Sequence, residues 1–230
     1  MPDGTWRPGF PFADRAAAGR ALGGLVAHCE GLIRPVVVAL PRGGVPVGAE
    51  VARQLRAPLV VMPVGKVGAP GREELAVGAV APGGVRVLNQ DVIEALGLSE
   101  ADVAVLASKA MAKVTRQMRT YQGSREVPLL GRAAIVVDDG LATGATMWAA
   151  LMAVREQRPA RLVLAVPVAP PDALAALAPL VDEEVCPVQP PRMQAVGAWY
   201  QDFSQITDEE VSDLLRALSA ERKAWRAAAK

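Results

Sequence analysis

Histidine, cysteine and aromatic residues are all scarce in this sequence of 230 residues. The one histidine is His28, so a metal site with several histidines is not possible, and a Ser-His-Asp triad would have to use this residue. His28 falls in a predicted amphipathic helix, which favours a surface or core position. The two cysteines, Cys29 and Cys186, form neither a CxxC nor a zinc spacing, which favours two free thiols in a reducing compartment. We therefore expect neither a His/Cys metal centre nor a histidine-based triad.

The charge balance and the absence of long apolar runs limit the partners. A formal net charge of +1 offers no general attraction for nucleic acid or for an anionic membrane. No apolar run approaches the ~18 residues that a membrane span needs, and the N-terminus lacks the apolar segment of a signal peptide. We expect a cytoplasmic protein with no nucleic-acid or membrane partner.

The sequence is rich in aliphatic residues: 51% of it is hydrophobic and only 4% is aromatic. Short Val-rich runs that alternate with amphipathic segments predict buried strands covered by helices, and hence an α/β fold with a doubly wound, mostly parallel sheet. The predicted strands are 36–40, 59–62, 85–88, 133–137, 161–166 and 181–188. We predict one α/β core over 1–188, which includes an N-terminal arm and an inserted helix at about 99–121, and then a C-terminal hood and helix over 189–230.

The strongest functional signal is the strand, turn and helix start over 135–146, IVVDDGLATGAT. Two carboxylates, Asp138 and Asp139, end a buried strand, and a turn of small residues opens directly into a helix. Backbone N–H groups and the positive end of the helix dipole suit a phosphate, and the hydroxyls of Thr143 and Thr146 can add hydrogen bonds. Because carboxylates repel phosphate, the natural partners of the two aspartates are ribose hydroxyls or a bound Mg²⁺.

This segment resembles the motif with which type I phosphoribosyltransferases bind 5-phosphoribosyl-1-pyrophosphate (PRPP): a hydrophobic strand, two acids and a Thr-Gly-x-Thr turn. The resemblance implies that Asp138 and Asp139 hold the ribose 2′- and 3′-hydroxyls, with Mg²⁺ bound mainly through PRPP. It also implies that the turn holds the 5′-phosphate through Ala142, Thr143, Gly144, Ala145 and Thr146.

A second motif follows the first predicted strand. Arg42, Gly43 and Gly44 are similar to the pyrophosphate loop of the same family, in which backbone amides and a basic side chain hold the leaving group. At the end of a strand and upstream of the acidic motif, this turn is predicted to bind the pyrophosphate of PRPP.

The glycine-rich residues 64–84 predict a long loop, and long loops inside compact domains tend to be functional. They lie where type I enzymes carry a mobile loop that closes over PRPP and excludes water. The resemblance implies that Lys66 neutralises pyrophosphate and that Glu73 or Glu74 serves as a base.

The predicted hood carries two adjacent aromatic residues, Trp199 and Tyr200, which indicate a stacking surface in a chain otherwise poor in aromatics. With Val196 they resemble the hood of 6-oxopurine phosphoribosyltransferases, a Val-Gly-Tyr stretch followed by an aspartate. The resemblance implies that Val196, Trp199 and Tyr200 bind the acceptor. Asp202 matches the aspartate, one residue later than in the family pattern, and is a candidate metal ligand.

One position departs from the hypoxanthine-guanine enzymes, which place a third aspartate before the Thr-Gly pair. Here that position is Ala142, as in adenine phosphoribosyltransferases. No base is therefore expected from this loop. Either the glutamates of the predicted mobile loop activate the acceptor, or the acceptor is nucleophilic enough unaided.

Over most of its length the sequence is similar to a bacterial group of stand-alone phosphoribosyltransferases, which does not reveal the acceptor. We expect a Mg²⁺-dependent homodimeric transferase that moves phosphoribose from PRPP to a small-molecule acceptor. A regulator that senses PRPP or a nucleotide on the same fold is an open alternative. A PRPP synthase-like diphosphotransferase and a flavodoxin-like or dinucleotide-binding protein also stay open.

Overall fold

The computed structural model describes residues 12–121 and 127–228, without the side chains of Glu73, Glu74, Arg226 and Ala228. The predicted N-terminal arm lies almost entirely outside the described residues. The strands are β1 (Val36–Ala39), β2 (Leu59–Val61), β3 (Gly65–Ala69), β4 (Arg72–Ala81), β5 (Val85–Leu88), β6 (Ala133–Val137), β7 (Arg161–Ala165) and β8 (Glu183–Val185). The helices are α1 (Arg15–Val26), α2 (Gly44–Gln54), α3 (Gln90–Ala95), α4 (Glu100–Thr120), α5 (Ala145–Glu156), α6 (Pro171–Leu177) and α7 (Asp208–Ala228).

A five-stranded parallel sheet in the order β2-β1-β6-β7-β8 forms the centre of the fold. All residues of β1 and β6 are buried, as expected for strands covered on both faces. Helices α1, α2 and α7 supply the apolar side chains of one face, and α5 and α6 supply those of the other. The predicted α/β fold with a doubly wound parallel sheet is confirmed.

The prediction of a long loop over 64–84 is wrong. Most of these residues form an antiparallel hairpin of β3 and β4, and β5 completes a three-stranded second sheet in the order β3-β4-β5. Val67, Val77 and Val80 are buried in one apolar cluster with the inward-facing side chains of α4. The glycine and alanine residues between them hide the strand pattern in the sequence, and Gly71, with φ of 70°, occupies the tight turn between β3 and β4.

Side-chain caps start three of the helices where the sequence predicts them. Asp14 Oδ1 accepts a hydrogen bond of 2.6 Å from the Ala17 N–H at the start of α1. Ser99 and Asp102 form a reciprocal capping box at the start of α4. The final helix begins after Thr207, whose backbone N–H donates to Glu210. The short helix α3 is not predicted from the sequence.

The C-terminal segment returns to the main sheet. A short 3-10 turn at Val196–Trp199 precedes α7, which places Val211, Leu215 and Leu218 in the apolar cluster that also contains α2. Among the helices that the structure describes, none is both long enough and apolar enough to cross a membrane.

Candidate active site

The two predicted motif loops lie side by side at the carboxyl edge of the main sheet. Strands β1 and β6 are parallel neighbours, with Ala39 paired to Val137 at their ends. The Leu40 N–H donates a hydrogen bond of 2.9 Å to the Val137 carbonyl, so pairing continues into the loops. Ligands of doubly wound sheets bind beyond this edge, and the site therefore has the position expected for the fold.

Gly43 and Gly44 face the two aspartates across the junction of these loops. A Cβ atom built on Gly43 would lie 2.0 Å from Asp139 Oδ2, and one built on Gly44 would lie 2.8 Å from the Cα of Asp138. Real Cβ atoms do not approach other atoms so closely. Glycine at both positions is thus what allows the loop after β1 to contact the acid pair.

A buried arginine binds one member of the acid pair. Arg15 Nε donates to Asp139 Oδ2 at 2.8 Å, and the two side chains are only 9% and 14% exposed. Arg15 Nη1 also donates to the Ser204 carbonyl at 2.8 Å. Its guanidinium lies 3.8 Å from the ring centroid of Phe203, within the range of a cation–π contact. Arg15 thereby joins α1, the acid loop and the C-terminal segment.

The carboxyl groups of Asp138 and Asp139 lie next to each other and are largely shielded from water. Burial, and then the neighbouring charge of Asp139, raises the pKa of Asp138 well above its ordinary value. Burial also raises the pKa of Asp139, although the Arg15 guanidinium opposes that rise. Asp138 Oδ1 accepts a hydrogen bond of 2.8 Å from the Asp139 N–H. A cation or a pair of hydroxyl donors at this point would favour the charged forms.

Tyr200 binds the backbone of the acid loop, and its ring is buried instead of forming the exposed stacking surface that the sequence indicates. It is only 6% exposed, and its ring lies between Phe12 and Phe203, with centroids 5.7 and 5.1 Å away. Its hydroxyl donates to the Asp139 carbonyl at 2.5 Å. Burial raises the pKa of Tyr200. The aromatic pair of the hood therefore packs on the core instead of offering two free faces.

The other hood residues lie against the same loop. A Cβ atom on Gly140 would lie 2.6 Å from Val196 Cγ1, so this glycine allows the hood to pack directly on the acid loop. Trp199 is half-buried, and its carbonyl accepts a hydrogen bond of 2.7 Å from the Phe12 N–H. Val196 thus lies directly against the acid loop, and Trp199 packs in the same apolar cluster as Val196, Phe12 and Tyr200.

The turn between the acid pair and α5 has the form of an anion site. Gly144 precedes α5 with φ of 76°, a left-handed conformation that favours glycine, and it packs against Leu177. The helix begins at the next residue, which directs its first N–H groups towards the turn. The exposed residues over 142–146 are Ala142, Thr143, Ala145 and Thr146.

The remaining predicted site residues are more scattered. Arg42 is exposed in the loop after β1. Lys66 lies on β3 of the second sheet, where it lines a groove of about 520 Å³ together with Lys109 and Lys113 of α4. The backbone of Glu73 and Glu74 belongs to β4, and their side chains are outside the described ones.

No residue cluster forms a metal cage in the part of the chain that the structure describes: no three His, Cys, Asp or Glu side chains come together. Asp202, the candidate ligand, is exposed and accepts a hydrogen bond of 2.9 Å from the Ser204 N–H. Two adjacent carboxylates without a third ligand fit Mg²⁺, which typically binds one or two carboxylates plus the oxygens of a phosphate ligand.

Arg15 and Tyr200 are the residues whose role the sequence did not reveal. Arg15 is the first residue of α1, where the helix dipole disfavours a positive charge. A basic residue at that position indicates an acidic partner elsewhere in the fold, and this signal could have identified it. The hydrogen bond of Tyr200 to a backbone carbonyl 61 residues away has no comparable signal in the sequence.

The chain is similar in sequence and in fold to known proteins. The family model described as the phosphoribosyl transferase domain matches residues 16–179, which include both motif loops. The crystal structure of TT1426 from Thermus thermophilus matches with a TM-score of 0.79 and 41% identity, over 91% of this chain and 99% of that one.

Curated relatives agree with the family match. A protein of Mycobacterium tuberculosis, named provisionally as a phosphoribosyl transferase, is 44% identical over 201 residues, and the same match is found in two strains. The matched region covers 87% of this chain but only 45% of the relative. The chain therefore spans less than half the length of the curated relatives it matches.

Proposed function

The chain belongs to the phosphoribosyl transferase family, and we propose that it transfers the 5-phosphoribosyl group of PRPP to a small nucleophilic acceptor. The bond from C1′ to the pyrophosphate oxygen breaks, and the pyrophosphate leaves with the electron pair. A bond from C1′ to the acceptor forms, and the acceptor loses a proton. The observation that carries this proposal is the contact between Gly43 and Asp139, which joins the two motif loops beside the N-terminus of α5.

The 5′-phosphate would bind at the start of α5. Backbone N–H groups over 142–146 would bind the phosphate, and the hydroxyls of Thr143 and Thr146 lie on exposed residues there. The helix N-terminus adds a partial positive charge. Neither interaction requires a charged side chain, which suits a phosphate placed near two carboxylates.

The ribose would lie over the acid pair. Asp138 and Asp139 would accept hydrogen bonds from the 2′- and 3′-hydroxyls and, together with the oxygens of PRPP, hold Mg²⁺. When bound, the cation would neutralise negative charge on the leaving pyrophosphate. Arg15 keeps Asp139 in place through its 2.8 Å hydrogen bond, so the carboxylate is oriented before the substrate arrives.

The leaving pyrophosphate would meet the loop after β1. The Gly43 N–H and the guanidinium of Arg42 are the candidate donors in this loop, whereas the Gly44 N–H already donates to the Leu40 carbonyl at 3.0 Å. Lys66 would add positive charge when the β3–β4 hairpin moves towards the site. Catalysis in this scheme consists of positioning and charge stabilisation.

The acceptor would enter from the side of the hood, next to Val196 and Trp199. Tyr200 would act on it indirectly, since its hydroxyl binds the Asp139 carbonyl. Glu73 or Glu74 would remove the proton of the acceptor, because the alanine at position 142 leaves the acid loop without a base. We also propose that the protein acts as a homodimer in the cytoplasm.

The test is pyrophosphate release from PRPP and Mg²⁺ across a panel of purines, pyrimidines and amines. The transferase proposal requires release that depends on one acceptor class and that falls by about a thousandfold in Asp139→Asn. The matched control is Asp91→Asn, an exposed acidic residue in the first turn of α3 and outside both motif loops, which should retain full turnover.

A regulator that senses PRPP or a nucleotide through the same site is the second candidate. The acid loop suits both candidates, because it can bind ribose and phosphate without itself supplying a proton acceptor. PRPP binding without pyrophosphate release over the whole panel would support the regulator and exclude the transferase.

A further inference from the structure

A polar pocket lies at the amino-terminal edge of the main sheet, which is the edge opposite to the candidate active site. It has a volume of about 330 Å³, and Pro35 and Pro58, which directly precede β1 and β2, line it. Arg132, which directly precedes β6, lines it as well. Since Asp138 follows the other end of β6, six residues of extended chain, or roughly 20 Å at about 3.3 Å per residue, separate the two sites.

Four arginines from separate segments of the chain converge on this pocket. None of its described lining residues carries a carboxylate, and the arginines are Arg34, Arg56, Arg132 and Arg222. Guanidinium groups keep their charge when they are brought together. Four guanidinium groups therefore line one opening in a chain whose net charge is only +1, and a set of fixed positive charges suits an anion.

The arginine loops are linked to one another. The Arg132 Nε donates a hydrogen bond of 2.9 Å to the Arg34 carbonyl. Arg34 and Arg56 both adopt left-handed backbone conformations, with φ of 45° and 48°, which arginine seldom does. For Arg56 this conformation ends α2, because the Ala57 N–H donates to the Ala52 carbonyl at 2.9 Å, as at many helix C-termini.

An indole completes the lining. Trp225 of α7 is half-buried and lies in the same pocket as the four arginines. Planar guanidinium groups bind phosphate oxygens in pairs, and an aromatic ring offers a stacking face to a base. The volume falls at the lower end of the roughly 300–1,000 Å³ that small-molecule sites occupy.

We propose that this arginine pocket binds a nucleoside diphosphate or triphosphate, with its phosphates on the guanidinium groups and its base against Trp225. The site is separate from the one that the proposed function uses and does not depend on it. Bound nucleotide would contact the segments that precede β1, β2 and β6, two of which carry the motif loops at their other ends.

The test is calorimetric titration with ADP, beside pyrophosphate and adenosine. The variant Arg34→Asn/Arg56→Asn removes two charges, and asparagine accepts the left-handed backbone at both positions. We expect it to weaken ADP binding by about tenfold or more. The matched control Lys109→Gln/Lys113→Gln removes two charges from the groove at α4 and should bind ADP as the wild type does. Thermal unfolding of each variant checks that it is folded.

Two further variants test which of the two sites binds ADP and whether Trp225 contacts its base. ADP binding should persist in Asp138→Asn/Asp139→Asn, and Trp225→Leu should weaken binding of ADP but not of pyrophosphate. The proposal is overturned if the wild type binds no ADP, or if the aspartate variant loses ADP while the arginine variant keeps it. Equal affinity for ADP and pyrophosphate would exclude base recognition. Much tighter binding of a single-stranded oligonucleotide would assign the surface to nucleic acid instead.

Discussion

The Nε atom of Arg15 lies 2.8 Å from Oδ2 of Asp139, which joins the first turn of α1 to the loop after β6 across 124 positions of sequence. Both side chains are nearly excluded from water. The pair therefore affects folding and ligand binding together, because Asp139 is also the carboxylate that Gly43 contacts.

Replacing Arg15 with methionine should leave Asp139 buried without its counter-charge. Breaking a buried pair in this way costs about 3–5 kcal/mol in the free energy of unfolding, measured by urea denaturation. The double variant Arg15→Met/Asp139→Asn should lose clearly less than the sum of the two single losses. Arg20→Met, an exposed position of the same helix, is the control and should change little. Additive losses would contradict the coupling.

Replacing Asp138 with asparagine should raise stability at neutral pH while it abolishes binding of PRPP. The folded protein holds the pKa of this carboxyl above its unfolded value, so its charged form destabilises the fold as pH rises through the folded pKa. Asparagine removes that charge and still accepts the Asp139 N–H. A gain of about 1 kcal/mol would raise Tm by about 2–4 °C.

The stabilisation by Asp138→Asn should shrink as pH falls towards about 3, where the aspartate is mostly protonated in both the folded and the unfolded state. Thermal melts of the two proteins from neutral to acid pH measure this difference. A Tm gap that is independent of pH would show that the raised pKa does not account for the gain.

Replacing Gly43 with alanine should displace the Asp139 carboxylate, because the new Cβ would lie 2.0 Å from its Oδ2. We expect a loss of PRPP affinity of about tenfold or more, equal to about 1.4 kcal/mol. Gly24→Ala is the control: a Cβ there meets only Gln54 at 3.9 Å, and the helix should tolerate it. Calorimetric titration of both variants with PRPP measures the two affinities. Equal affinities would mean that the two loops do not act together.

Replacing Tyr200 with phenylalanine removes the hydrogen bond to the Asp139 carbonyl and should cost about 1 kcal/mol of stability. It should also weaken PRPP binding, since the backbone of the acid loop loses a support. Tyr121→Phe is the matched control, because that buried hydroxyl donates to the Asp208 carboxylate at 2.5 Å instead of to the backbone of the acid loop. We expect it to lose similar stability but no affinity. Parallel behaviour of the two variants would assign Tyr200 a purely structural role.

The sequence allowed the main sheet to be predicted because each buried strand is a short, continuous Val-rich run. Strands β1 and β6 lie within one residue of their predicted bounds. Their ends, and hence the neighbouring loops at Gly43 and Asp139, follow from the rule that parallel strands present their carboxyl ends at one edge. The second sheet was missed because Gly and Ala between Val67 and Val80 resemble a loop.

The support of the acid pair was much harder to predict. Arg15 and Tyr200 reach Asp139 over 124 and 61 positions, and such contacts depend on how the helices and the hood pack on the sheet. Local pattern carries little information about that packing. The arginine pocket has the same origin, since Arg34, Arg132 and Arg222 are unremarkable in sequence and meet only after folding.

The most direct test of the central claim is calorimetric titration of PRPP, with and without Mg²⁺, into the wild type and into Asp138→Asn/Asp139→Asn. The proposed site requires binding that depends on Mg²⁺ and that the double variant loses, although the variant remains folded. Binding of PRPP that is the same in both proteins, or that needs no Mg²⁺, would contradict the assignment of the acid pair as the ribose and metal site.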